Sequence, residues 1–364
     1  MENKPFIKSF GLFATLISTT IGMNILYFPV SLSKSMNNNG WYITISLTIL
    51  VYFFSLFLFK LYNKYNFNSI YELFYTCCGK IVSKILFIVL SIFSLIYVGI
   101  ILNNFSKVIK LYLFPKTPTA FFILTMCILI CYGIKNSPRG MVRFNEVAFF
   151  IILFPMIIIF SFCINKGDYS NLLPFKFENL ENIIGGVKSS LYIFSGIEIL
   201  YFYLPYLTNK ENTNRVLKNS LIFICIFNLI LYVLCLFSFG SNQLKILLNP
   251  FLTLIRVIDV PGSFLERWEG IVISFWIFYC FTSSVNISFF AKELLCETFH
   301  INKNVTIIMI LITLSLLGVW DEITSLFTEF YYNSFYVYQI SLYLIIPVIF
   351  YILLKFKNEK RIMK

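Results

Sequence analysis

The sequence predicts an all-α polytopic membrane protein. About ten transmembrane helices form two five-span halves in inverted repeat, with helices 1 and 6 broken. Three observations predict this. Composition comes first: 59% of the 364 residues are hydrophobic and only 13% are charged, about half the charged share of a soluble domain. With 43 Phe and 23 Tyr, the apolar surface exceeds what one water-soluble core could hide, and the excess must face lipid. Second, apolar runs near the ~20 residues needed to cross a bilayer recur along the whole chain. Third, two of these runs carry helix-breaking signals at corresponding places.

The first run begins at Phe10, after a short polar stretch from Met1 to Lys8. No small-residue cleavage site follows it, so it reads as a retained first span rather than a signal peptide. By length and hydropathy the spans lie near 9–33, 41–60, 81–106, 119–135, 143–165, 187–205, 219–240, 265–291, 304–320 and 334–355. The fourth and ninth are short. Asn68 to Lys84 is too polar to span and reads as a short helix lying at the interface. Residues 241–264 form a loop with a helix expected from Pro250 to Asp259. No separate soluble domain is expected: residues 1–364 form one integral membrane domain.

Orientation follows from the basic residues. With the N-terminus placed inside, 19 of the 29 Lys and Arg fall on the inner side and ten on the outer side. Asp168, Glu178, Glu181, Asp259, Asp321, Glu322 and Glu329 fall outside. Both termini are therefore expected in the cytoplasm. The net charge of +12 follows from this topology, and no basic patch interleaved with aromatics points to nucleic acid.

Spans that break in mid-membrane expose backbone groups that must find partners, so they mark binding sites in transporter folds. Span 1 carries Ser18, Thr19, Thr20, Ile21, Gly22, Met23 and Asn24 near its middle, followed by Pro29. Span 6 carries Ser195, Gly196, Ile197 and Glu198 at comparable depth, followed by Pro205. The two lie five spans apart, as an inverted repeat requires. Close helix packing would also use such glycines, but two in corresponding places favour broken helices. Glu198 is the sharpest single residue, because an ionisable group within a span is a functional hypothesis by default. It could be protonated, pair with a cation or ligand amine, cap an unwound segment, or reach water at the span's end.

Tyr97 and Asn104 share one face of span 3. In span 8, Thr282 and Asn286 share a face, with Ser283 and Ser284 beside them, although buried hydroxyls often bond only to their own helix. No phosphate-cradling loop, nucleophile elbow or paired carboxylates point to an enzyme, and no cofactor is implied. The nine Cys residues lie mostly within apolar runs, and His300 is the only histidine. Neither a zinc site nor a disulfide framework is expected, and His300 reads as a loop residue. Glu266, Arg267 and Glu269 read as an ion-pair anchor at the mouth of span 8.

The chain resembles the endospore germination permeases, the B subunits of spore germinant receptors within the amino acid–polyamine–organocation superfamily. Four segments carry the likeness: Ile21 to Pro29; Tyr71-Glu72-Leu73 with Gly79-Lys80; Asn171 to Pro174; and Phe264 to Glu269. Their order and spacing extend over nearly the whole chain. The resemblance implies a LeuT-like fold, residence in the spore inner membrane, and assembly with an A subunit and a lipoprotein C subunit. It also implies a small nutrient ligand, commonly an amino acid, held between spans 1, 3, 6 and 8. On that reading, the residues around Gly22 present N–H groups to a ligand carboxylate and Tyr97 adds a hydroxyl. The stretch from Ser195 to Glu198 faces the ligand amine or side chain, and Thr282 to Ser284 close the site. One departure concerns coupling. Some proton-coupled relatives place a Lys in span 5, whereas Phe144 to Asn165 contains no Lys or Arg, which leaves ion coupling unsupported.

The leading expectation is thus a nutrient-binding receptor subunit in the lipid bilayer that signals to partner subunits. A secondary amino-acid transporter is the alternative, since both share one cavity and one fold. A scaffold or channel subunit without ligand binding is the third class.

Overall fold

The computed structural model describes residues 5–22, 24–67, 69–163, 167–257 and 268–362. Its first span is broken: α1 (Ser9–Thr20) and α2 (Asn24–Met36) meet at 65°. At the end of α1, Thr15, Thr19 and Thr20 return their hydroxyls to the carbonyls of Gly11, Thr15 and Leu16, at 2.7, 2.6 and 2.9 Å. Hydroxyls that compete for helix carbonyls in this way weaken the helical ladder.

Span 2 is α3 (Trp41–Tyr65), ended by Asn66 in the left-handed region at φ 50°. The next helix, α4 (Ile70–Tyr112), starts at a Ser69 cap whose hydroxyl accepts from the Glu72 N–H. Ser at the cap and Glu three residues on form the usual start signal. At Gly79 the backbone turns to φ 75°, where only glycine is unstrained. The polar stretch 70–78 thereby becomes a separate arm, and the apolar remainder is span 3.

The chain continues through α5 (Thr119–Gly133), α6 (Pro138–Cys163) and α7 (Leu180–Leu191). Helical turns then lead through Phe194, and single turns and α8 (Leu200–Tyr203) carry on to Tyr206. The two parts of this sixth span, Leu180–Phe194 and Ile197–Tyr206, are bent by 50°. The second half comprises α9 (Thr213–Leu244), α10 (Pro250–Val257), α11 (Trp268–Phe299), α12 (Lys303–Val319), α13 (Asp321–Ile340) and α14 (Ile346–Ile362). A π-helical turn, Ser341–Ile345, joins the last two into one span.

Six stretches are long and apolar enough to cross a membrane, and the two bent pairs bring the number to eight. The 15-residue α5 and the 17-residue α12 are shorter apolar helices. Phe53, Phe121, Ile128, Phe150 and Phe154 stand exposed on α3, α5 and α6, as lipid-facing surfaces require. The multi-pass membrane assignment rests on these surfaces and on the apolar helices. The helix expected over Pro250–Asp259 runs to Val257. Glu266 and Arg267 lie outside the described residues, as does the side chain of Glu269. His300 is an exposed loop residue at φ 54°.

The two broken spans face each other at the centre, with α11 packed along α4 and against α1. A short strap reinforces the pairing of spans 1 and 6. The Ile7 N–H donates to the Tyr206 carbonyl at 3.0 Å, and the Thr208 N–H returns to the Ile7 carbonyl at 3.0 Å.

Candidate functional site

The break in span 6 is built by Gly196, which adopts φ 95°. A side chain there would also collide with Thr19, since a Cβ would sit 2.7 Å from its Cγ2. Gly196 is therefore dictated by backbone conformation and by contact with the break in span 1. The Glu198 carboxylate lies folded back on this break: its Oε2 accepts the Gly196 N–H at 2.9 Å. Tyr331, Gln339, Tyr338 and Tyr343 of the last span face the same carboxylate. Of the roles the sequence left open for Glu198, the geometry matches the capping one.

Gly22 is equally constrained. A Cβ on it would sit 2.2 Å from Ser283 Oγ and 3.2 Å from the Tyr279 carbonyl of α11. Ser283 Oγ donates to the Ser18 carbonyl at 3.0 Å, so α11 partners a carbonyl near the end of α1. Thr282 instead bonds back to Phe278 and Tyr279 on its own helix, at 3.0 Å each. Asn286 donates to Thr19 at 3.0 Å and exchanges two 2.9 Å hydrogen bonds with Asn145 of α6. This amide pair satisfies buried polar groups on spans 1, 5 and 8 together. Ser18, Ser195 and Ser284 bring hydroxyls to the same layer that have no hydrogen-bond partner among the described residues. Thr20 and Ile21 are buried in this layer. Met23 lies outside the described residues, and Asn24 opens α2 with its side chain undescribed.

The open space lies beyond this layer, toward the C-terminal end of α2. A cavity of about 210 Å³ is lined by Tyr27, Ser31 and Lys34 of α2, Tyr97, Ile100 and Asn104 of α4, and by Tyr192 and Tyr331. Its volume equals about seven water molecules. The rings of Tyr97 and Tyr331 stack at 5.5 Å and 11° to form one wall. Lys34, exposed near the end of α2, is the only charged side chain lining it among the described residues. The layer toward the N-terminal face is filled by Phe202, Tyr203, Tyr206, Lys292 and Glu293, all buried.

The structure therefore separates two groups that the sequence had placed together. Thr19, Gly22, Ser195, Gly196, Glu198, Thr282 and Ser283 lie in a packed, buried layer, in which Glu198, Ser283 and Thr19 hydrogen-bond to groups of the protein itself. Among the expected site residues that are described, only Tyr97 lines the cavity, joined by Asn104 from the same face of span 3. Sequence reasoning passed over Tyr27, Ser31 and Lys34. Their i, i+4, i+7 spacing marks one helical face, and that polar stripe on an apolar half-helix was the available signal.

Known proteins share both the sequence and the architecture. The profile of the spore germination protein family (spore permeases) matches residues 6–325. Spore germination protein A2 of Bacillus subtilis is 23% identical over 320 residues, covering 87% of each chain. Spore germination protein GerQB of Bacillus cereus is 24% identical over 285 residues, covering 78% of this chain and 77% of the other. Among solved structures, MhsT, crystallised with L-phenylalanine, superposes with a TM-score of 0.67 at 10% identity, covering 96% of this chain and 99% of that one. A Na⁺-coupled sialic acid symporter in a substrate-bound, outward-open state gives a TM-score of 0.61 at 14% identity, covering 88% and 76%. These likenesses show the LeuT-like fold with broken helices 1 and 6. With its profile matched over most of its length, the chain belongs to the spore germination protein family.

Proposed function

We propose that this protein is the nutrient-sensing subunit of a spore germination receptor. A small molecule, an amino acid for preference, enters the cavity between spans 1, 3, 6 and 10. The observation that carries this reading is the cavity itself. It reaches the outer half of broken span 1, while the opposite side is packed shut. The arrangement is that of one face open and one closed, and a ligand shifts such an equilibrium only by its differential affinity for the two states. Closure of Tyr27, Ser31 and Tyr192 around the ligand would move the outer half-helices, and A and C subunits of the receptor would read that movement. The membrane would be the spore inner membrane, with both termini cytoplasmic and the cavity opening outward, as the basic residues favour. The chain acts by binding rather than by catalysis.

Secondary transport is the second reading, favoured by the likeness in fold to a Na⁺-coupled sialic acid symporter and to MhsT in complex with L-phenylalanine. Deleting the gene and testing the spores against amino acids, sugars and nucleosides separates the two, with vegetative uptake measured in parallel. Loss of germination to one nutrient with unchanged uptake supports the receptor. Normal germination with reduced uptake of one solute identifies a transporter.

A further inference from the structure

The cavity's one charge sets the chemistry of what it takes. Its walls are mostly carbon: the rings of Tyr97 and Tyr331, Ile100, Val30 and Phe28. Its polar groups gather on α2 and on the outer turn of span 3, in Ser31, Lys34 and Asn104. Lys34 makes no ion pair among the described residues. The neighbouring basic residue on span 3, Lys107, is instead neutralised by Asp321 at 3.0 Å. A cation with no counter-charge, at the edge of an apolar cavity, attracts an anion and can form a charge-assisted hydrogen bond with it.

The broken segments offer less. The Gly196 N–H already donates to Glu198, the Ser18 carbonyl already accepts from Ser283, and Gly22 is covered by α11. Among the described residues of the breaks, these groups are already taken up within the protein. We infer that the cavity binds a small monocarboxylate with an apolar body, and that Lys34 Nζ, rather than the Gly22 break, meets the carboxylate. This rests on the proposed binding role of the cavity. The apolar body then lies against Tyr97, Ile100 and Tyr331. The volume of about 210 Å³ suits a molecule the size of leucine or phenylalanine rather than an oligosaccharide or a nucleotide. Asn104, across from Lys34, is placed to accept from a ligand amine or donate to its second carboxylate oxygen.

The test uses the full chain in lipid nanodiscs and measures binding of L-leucine, L-phenylalanine and isovalerate. Leucinamide and phenylalaninamide serve as matched probes without the carboxylate. Wild type, Lys34→Gln, Lys34→Arg and the cavity-filling Ile100→Trp are compared. The expected result is that the acids bind at least about tenfold more tightly than the amides, as a charge-assisted hydrogen bond implies. Lys34→Gln should erase that ratio, Lys34→Arg should keep it, and Ile100→Trp should abolish all binding. Equal affinity for acids and amides overturns the inference while the cavity reading stands. So does an acid preference that survives Lys34→Gln, which would place the carboxylate elsewhere. If no probe binds wild type, or if Ile100→Trp leaves binding intact, the binding role of this cavity falls and the inference falls with it.

Discussion

The Glu198 carboxylate accepts the backbone N–H of Gly196, two residues earlier in the chain, at 2.9 Å. An acidic side chain deep in a membrane protein is here the cap of its own helix break, supplying the acceptor that the unwound ladder no longer provides. Glu198→Ala leaves that buried N–H orphaned and should cost about 1–3 kcal/mol. Glu198→Gln keeps a carbonyl acceptor of the same shape and should cost clearly less. Apparent melting midpoints of the two variants in nanodiscs check this. Equal losses would mean that charge, not capping, is what the site requires.

The contact between Gly22 and α11 makes a second prediction. Gly22→Ala places a methyl 2.2 Å from Ser283 Oγ, and overpacking of this kind costs about 1–3 kcal/mol. Ser283→Gly removes both Ser283 atoms in the way, at 2.2 and 2.8 Å. The double variant should therefore be less destabilised than the sum of the singles. A double-mutant cycle on thermal stability measures the coupling, and simple additivity would argue against the contact.

Lys292 and Glu293 form a 2.9 Å ion pair, with side chains only 2% and 3% exposed. Lys292 Nζ also donates to the Ile134 carbonyl at 2.7 Å, which ties α11 to the end of α5. Removing one partner strands a buried charge, at a cost of about 3–5 kcal/mol. Lys292→Met and Glu293→Gln should each be severely destabilised, whereas the double variant should recover much of the loss. Expression yield and melting midpoint of the three variants provide the readout.

The loop before α7 supplies a pH-dependent prediction. Burial alone would raise the Glu178 carboxyl, but donors on Asn182, Asn39 and Asn37 outweigh it and hold the group below its ordinary value of 4.5. A carboxylate depressed by folding contributes stability above its unfolded value and loses it as the pH falls through its folded value. The stability advantage of wild type over Glu178→Gln should thus be constant near neutral pH and shrink below about pH 4.5. Melting midpoints of both proteins across that range test it, and a gap that widens on acidification would contradict it.

Much of the architecture was legible in the sequence because it rests on local signals. Apolar run length marked the spans, Gly22 and Gly196 marked the breaks, and polarity marked an arm over Asn68 to Lys84, which the structure ends earlier, at Gly79. The site was only partly legible. Ser283 and Glu198 carry the polar chemistry expected of a binding pocket, yet they spend it on Ser18 and Gly196, and Gly22 packs against Ser283. Which polar groups pair internally depends on how α11 docks against α1, and spacing along the chain does not encode that. Tyr97 and Asn104 were found because a single helix face determines both. The place of Lys34 needed the third dimension, since its position beside the cavity, and its lack of an ion pair among the described residues, follow only from the packing.

The strap from Ile7 to Tyr206 and Thr208 has a mechanical consequence. The halves of spans 1 and 6 that contain α1 and α8 share one handle, so a tilt of one draws on the other. The opposite halves, α2 and α7, are tied in their own way, since the Ser189 hydroxyl donates to the Ser31 carbonyl at 3.0 Å. A force applied at the amino terminus would reach both half-helices at once. Phe6 and Ile7 thus work as a drawbar, through which a pull loads both half-helices together.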